Sequence, residues 1–151
     1  IQTKYYRSPE ILLGLEYDTS CDMWALGCSI YEMSTSKILF NPDKYDDIDQ
    51  KRCILSQIYA KTGPFPQNKI DESPLKQVFY NNEHILKSGA LVNDCFDNTN
   101  VWLYFLKKVE CETIKKYLVL DLILALINTD PSKRLSAKEA INHPLFKLYN
   151  R

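Results

Sequence analysis

Glycine is scarce in this 151-residue chain, with four residues, at 14, 27, 63 and 89. None falls into a G-x-G-x-x-G pattern, which excludes that kind of phosphate-cradling loop. Charge of one sign is also lacking, because 19 basic residues cancel 19 acidic ones. That balance excludes a net field drawing the chain to nucleic acid or an anionic membrane and leaves room only for local patches. The five cysteines, at 21, 28, 53, 95 and 111, are odd in number and form no C-x-x-C pair. Nothing at the amino end resembles a signal peptide, so free thiols in a reducing compartment are expected. Cys21 and Cys28 lie two helical turns apart, about 10 Å, beyond the reach of a disulfide. The longest apolar run, Leu118 to Ile127, is broken by Asp121 and is about half the ~20 residues that cross a bilayer. Of the two histidines, His84 is isolated in polar sequence and His143 sits in H-P-L-F. Both read as structural rather than as metal ligands or bases. No fixed-period repeat and no long alternating strand pattern occurs.

What is present is ordinary globular material, 45% apolar and 25% charged, and a chain of this size buries roughly 68–70% of its unfolded surface. Ser8-Pro9-Glu10 reads as a helix start, its serine hydroxyl free to accept an amide, and Gly14 stops that helix after one turn. Cys21 to Met33 follows Thr19-Ser20 as caps. Its apolar residues surround the helix, which predicts a buried central helix with Asp22 inside it. Ile54, Leu55 and Ile58 have helical spacing ending at Gly63. Ser73-Pro74 begins a short helix through about Tyr80, and residues 81 to 99 read as irregular. Val101 to Val109 and Thr113 to Asn128 are further helices, the second apolar enough in its later turns to be buried. Asp130-Pro131 makes a turn, Ser136 to Glu139 is a capping box, and Asn142-His143-Pro144 ends the last helix. The architecture is mainly α.

Four short motifs stand in one order: S-P-E at 8 to 10, D-M-W-A-L-G at 22 to 27, D-P-S-K-R at 130 to 134 and H-P-L-F at 143 to 146. Together they resemble the second half of a eukaryotic protein kinase catalytic domain. The form T-K-Y-Y-R-S-P-E, residues 3 to 10, is similar to the CMGC group, which includes the SR-protein, dual-specificity tyrosine-regulated and Clk kinases. The resemblance implies the helical C-terminal lobe of the kinase fold. Residues 1–151 would form a partial kinase domain, truncated before the activation-segment end and lacking the N-lobe, the catalytic loop and D-F-G. The opening residue, Ile1, agrees with a piece of a longer chain.

Several site residues come with the resemblance. Glu10 would pair with Arg134, an arrangement that suits an arginine fork on a carboxylate. Asp22 would hold the catalytic loop, and Trp24 would pack the central helix against the activation segment. In the first turn of a helix Asp22 also serves as a dipole-favourable cap, and both roles are compatible. Thr3 would support the upstream catalytic aspartate, which favours Ser/Thr over Tyr kinase chemistry. Arg7 would shape the substrate pocket with Lys4, Tyr5 and Tyr6 beside it. The group more often has arginine where Lys4 stands, and simple packing under the loop is an equal reading for the two tyrosines. L-F-N-P at 39 to 42 and the stretch 73 to 87 are similar to the insert region of SR-protein kinases. There Asp43, Asp46, Asp47 and Asp49 would dock a basic, Arg/Ser-rich substrate, or else form a solvated loop and helix start.

Phosphoryl transfer by this family needs a glycine-rich loop, a strand lysine, H-R-D-x-x-x-x-N and D-F-G. None occurs here, and D-C-F-D at 94 to 97 is no substitute. The resemblance therefore implies that ATP and Mg²⁺ belong to a full-length parent and that this segment binds neither. The segment would supply a substrate platform and scaffold to an intracellular kinase, cytoplasmic and/or nuclear, with protein substrates and no nucleic-acid or membrane partner. Two alternatives stand beside this: a pseudokinase-like interaction module, and an unrelated helical adaptor in which Glu10 and Arg134 would lie apart.

Overall fold

The computed structural model describes residues 1–42, 47–83, 85–87 and 100–148, with the backbone alone at Asp47. A 3-10 turn, Lys4–Tyr6, precedes α1 (Pro9–Leu12) and α2 (Ser20–Thr35). Next come α3 (Asp47–Thr62), α4 (Gln67–Glu72) and α5 (Lys76–Phe79), then α6 (Val101–Lys108) and α7 (Thr113–Leu126). A 3-10 turn at Pro131–Lys133 leads to α8 (Ala137–Ala140) and α9 (Pro144–Lys147). Among the described residues the only β pairing is an isolated bridge between Tyr80 and Leu86. Among the described residues the fold is helical, as the expected mainly α architecture requires.

The centre is α2. Helical periodicity sets Cys21, Trp24, Cys28, Tyr31 and Thr35 on one buried line. The expectation that apolar residues all round would bury the whole helix is corrected: Leu26 and Met33, on the opposite face, are 42% and 75% exposed. The expectation for the later turns of α7 is corrected at one position: Leu120, Leu122, Ile123 and Leu126 are buried, but Leu124 is exposed. α7 packs on two sides, Leu120 and Ile123 against the main core and Leu122 and Leu126 against a smaller cluster with Ala140 and Leu145, and apolar content alone does not say which faces have a partner. Gly27 sets the crossing of α2 and α7, because a Cβ there would stand 2.6 Å from Ile127 Cγ2 and 3.0 Å from Leu126 Cβ.

Aromatic contacts tie the other helices to this centre. Trp24 stacks on Phe40 with ring centroids 5.6 Å apart, and Tyr31 meets Trp102 edge-on at 6.0 Å and Phe105 at 6.1 Å. The Trp102 indole donates to the Lys61 carbonyl at 3.0 Å, so α6 is pinned to the end of α3 as well.

Helix ends follow local chemistry, not always the expected residue. α1 closes as the sequence predicts: Gly14 has φ +69°, its amide donates to the Ile11 carbonyl, and the Leu15 amide donates to the Glu10 carbonyl. At its start, however, Ser8 makes no cap bond and its hydroxyl is buried without a partner. Thr19 likewise makes no side-chain cap bond, and the Asp18 carboxylate accepts from the Ser20 amide at 2.8 Å instead. The capping box at Ser136 and Glu139 forms in both directions. A helix from Ser73 through Tyr80 is corrected to Lys76–Phe79, while Ser73 donates its hydroxyl to the Leu13 carbonyl at 2.6 Å. α4 was not foreseen, since its one buried residue, Ile70, leaves no periodic stripe to read. Beyond the Asn142-His143-Pro144 stop, α9 adds one more turn, capped by the His143 ring, which accepts from the Leu145 amide.

Candidate functional site

The opening 3-10 turn is held from several sides. Tyr6 donates its phenol to Glu32 Oε2 at 2.6 Å, joining the turn to the last turn of α2. That carboxylate holds the Tyr6 pKa above the usual phenol value, so the bond persists through neutral pH. Tyr5 packs edge-on to Tyr6, with centroids 6.3 Å apart, and Lys4 Nζ lies 5.0 Å from the Tyr5 ring centre. Arg7 donates from Nη2 to the Gln2 carbonyl at 3.0 Å. The Thr3 side chain makes no cap bond and is exposed. The turn therefore presents Thr3 on a braced backbone.

Behind the turn lies the buried pair. Arg134 donates from Nη1 to Glu10 Oε1 at 2.7 Å and from Nη2 to Glu10 Oε2 at 2.9 Å, with side chains 0% and 3% exposed. Its other donors are also used, Nη1 on the Ser20 carbonyl at 2.9 Å and Nε on the Asn128 carbonyl at 3.0 Å. This arrangement is what a buried ion pair requires, since each charge is hydrogen-bonded as well as paired. Trp24 supplies a further face, with the guanidinium carbon 5.2 Å from its ring centre. The structure thus brings Glu10, Trp24 and Arg134 together across 124 positions of sequence. A fold in which Glu10 and Arg134 lie apart is overturned.

Other expected residues stand elsewhere. Asp22 is exposed in the first turn of α2, with the Cys21 thiol 3.8 Å from its carboxylate. The start of α2 turns Asp22 outward. Asp43 and Asp46, and the side chain of Asp47, lie outside the described residues, as do His84 and Cys95. Asp49 is taken up by Arg52 at 3.2 Å. His143 Nε2 lies 3.1 Å from Asp121 Oδ2 while the ring caps α9, a structural role. Cys21, Cys28, Cys53 and Cys111 are free thiols, and burial raises the pKa of Cys21 and, much further, that of Cys28. Buried thiols held protonated are poor nucleophiles.

Sequence reading missed two residues of the site. Glu32 gave no motif, and Gln2 looked like one polar residue among several. Gln2 carries a positive φ of 58° and makes both of its side-chain contacts to backbone, at Ser8 and Cys21.

With this geometry in place, comparison with known proteins identifies the class. The family profile described as "Protein kinase domain" matches residues 1–146. The chain belongs to the protein kinase domain family. It is 29% identical over 146 residues to the serine/threonine-protein kinase SRPK of Physarum polycephalum, covering 95% of this chain and 33% of that protein. Over 155 residues it is 30% identical to the dual specificity protein kinase CLK2 of Homo sapiens, covering 97% of this chain and 28% of that protein. Over 148 residues it is 28% identical to the serine/threonine-protein kinase SKY1 of Saccharomyces cerevisiae, with coverage of 97% and 19%. These relatives agree with the CMGC resemblance carried by residues 3 to 10. The chain spans a third or less of their length.

Protein kinases hold ATP and magnesium with motifs that this stretch of sequence does not carry. The glycine loop and the H-R-D and D-F-G motifs are missing from the sequence. Among the described residues no three His, Cys, Asp or Glu side chains gather to hold a metal. No step through either is assigned to this chain. Nor is any helix, among the described residues, long and apolar enough to cross a membrane.

Proposed function

We propose that this chain is the substrate platform and scaffold of a Ser/Thr protein kinase, which transfers the γ-phosphoryl group of ATP to protein hydroxyls. The observation that carries the reading is the braced, half-buried turn at Thr3 to Arg7, with Thr3 exposed at its edge, fastened through α1 to a buried ion pair. Catalysis of this kind depends on positioning, and an acceptor hydroxyl misplaced by an ångström loses much of its rate. A platform therefore needs a rigid backbone carrying an exposed polar edge. Thr3 gives that edge and supports the catalytic aspartate of the longer protein. Lys4, Tyr5, Tyr6 and Arg7 shape the groove for the residues flanking the acceptor. Asp22, facing outward at the start of α2, is free to accept backbone amides of the catalytic loop, and Trp24 gives that helix its buried anchor.

Protein substrates rich in Arg and Ser fit this assignment, because the relatives include SRPK and CLK2 and because Asp43, Asp46, Asp47 and Asp49 concentrate negative charge in one segment. The test is transfer of γ-labelled phosphate by the full-length protein to matched peptides bearing Ser, Thr or Tyr, in an Arg-Ser and in an acidic context. Preferred labelling of Ser or Thr in the Arg-Ser context is the expected result. Labelling of the Tyr peptide alone, or binding of ATP with no transfer, would overturn the assignment.

A further inference from the structure

We infer that Gln2 is a positioning residue: its side chain clamps the junction of α1 and α2 and thereby fixes the substrate-facing 3-10 turn. This rests on the platform reading above. Gln2 Oε1 accepts from the Ser8 amide at 3.1 Å, and Gln2 Nε2 donates to the Cys21 carbonyl at 2.9 Å. One amide thus bridges the N-cap of α1 and the first turn of α2. Its own carbonyl, meanwhile, accepts from Arg7 at 3.0 Å.

Two features make the side chain, and not just the position, necessary. The Ser8 amide precedes the first helical turn of α1 and takes Gln2 Oε1 as its acceptor, while the Ser8 hydroxyl, the expected cap for the amides further on, has no hydrogen-bond partner. The φ of 58° places Gln2 in the left-handed region, which disfavours a residue with a Cβ and suits glycine. A glutamine persists there only when its side chain repays the conformational cost. Acceptor and donor on one planar group meet that need, which neither glutamate nor leucine reproduces.

The same junction carries a second clamp. Arg134 joins Glu10 of α1 to the Ser20 carbonyl at the start of α2. Gln2 joins Ser8, two residues before Glu10, to Cys21, one residue after Ser20. The buried Arg134 clamp holds the fold, and the Gln2 clamp, at the edge, sets where the turn from Thr3 to Arg7 sits. Loss of Gln2 therefore moves the platform before it weakens the scaffold.

The experiment uses the full-length protein with Gln2→Leu, Gln2→Gly and Gln2→Glu, and reads peptide KM, ATP KM, unfolding midpoint and hydrogen exchange at the Ser8 amide. For Gln2→Leu and Gln2→Gly we expect the peptide KM to rise roughly tenfold, as for the loss of one to two net hydrogen bonds. ATP KM holds, the midpoint falls only slightly, and the Ser8 amide exchanges faster. Gln2→Glu, which keeps the acceptor and loses the donor, falls between. Wild-type behaviour of Gln2→Gly would show that only the backbone angle matters and would overturn the clamp. So would a lowered midpoint with peptide and ATP KM moving together, or an unchanged Ser8 exchange rate. Absence of transfer by the unaltered protein would instead fail the kinase reading, and Ser8 exchange would still decide the clamp.

Discussion

Tyr6 and Glu32 show how one polar contact aligns a surface turn with a core helix. The phenol donates to a carboxylate, a pairing worth more than a neutral hydrogen bond, about 1.5–3 kcal/mol. Tyr6→Phe should lower stability toward the lower end of that range, since the pair is only part-buried, as measured by urea unfolding near pH 7. The pH dependence follows from the raised pKa. Below the unfolded value of 10.0 the phenol is protonated in both states and the contribution is complete. Above it the unfolded chain releases the proton first, so stability declines as pH climbs through the folded value. The wild type should lose stability above pH 10 more steeply than Tyr6→Phe, and parallel curves would discount the contact. At this scale sequence was legible where residue type and role coincide. Glu10 and Arg134 are a carboxylate and a fork, and their motifs name them. Glu32 and Gln2 were not legible, because a carboxylate near the end of a helix and a loop amide acquire meaning only from what lies opposite them in space.

Helices tell a similar story through their stripes and ends. Gly27 is buried on α2 where α7 crosses, and the methyl of Ile127 leaves no room for a Cβ. Gly27→Ala should destabilise by about 1–3 kcal/mol, since overpacking outweighs the helix-propensity gain of alanine. A thermal melt would check it, and a raised Tm would contradict the close crossing. The capping box and the Gly14 stop were readable because each is a local contract among a few neighbouring residues. Exposure of Leu26, Met33 and Leu124 was not, because burial of a second stripe depends on which elements pack there, and composition along a helix carries no such information. α4 escaped for the opposite reason: six residues, Gln67–Glu72, with one buried apolar side chain leave no period to detect.

Across the whole molecule, the Glu10–Arg134 pair fastens the first elements to the segment that leads into the last ones. Removing one partner leaves a buried charge uncompensated, which costs about 3–5 kcal/mol. Glu10→Gln and Arg134→Met should each approach that cost by denaturant unfolding. The double substitution should be much less destabilised than their sum, giving a coupling of about 2 kcal/mol or more. Additive losses would mean that the pair contributes little. This long-range contact was foreseen through the resemblance, and residue chemistry alone would not have chosen Arg134 from the other cations. The measurement that bears most directly on the central claim is steady-state phosphoryl transfer by the full-length protein carrying Thr3→Ala or Arg7→Ala. If Thr3 to Arg7 is the substrate platform, kcat/KM for a serine peptide falls by roughly tenfold or more in each variant while the KM for ATP stays unchanged. Unaltered peptide kinetics, or a change confined to ATP, would contradict it.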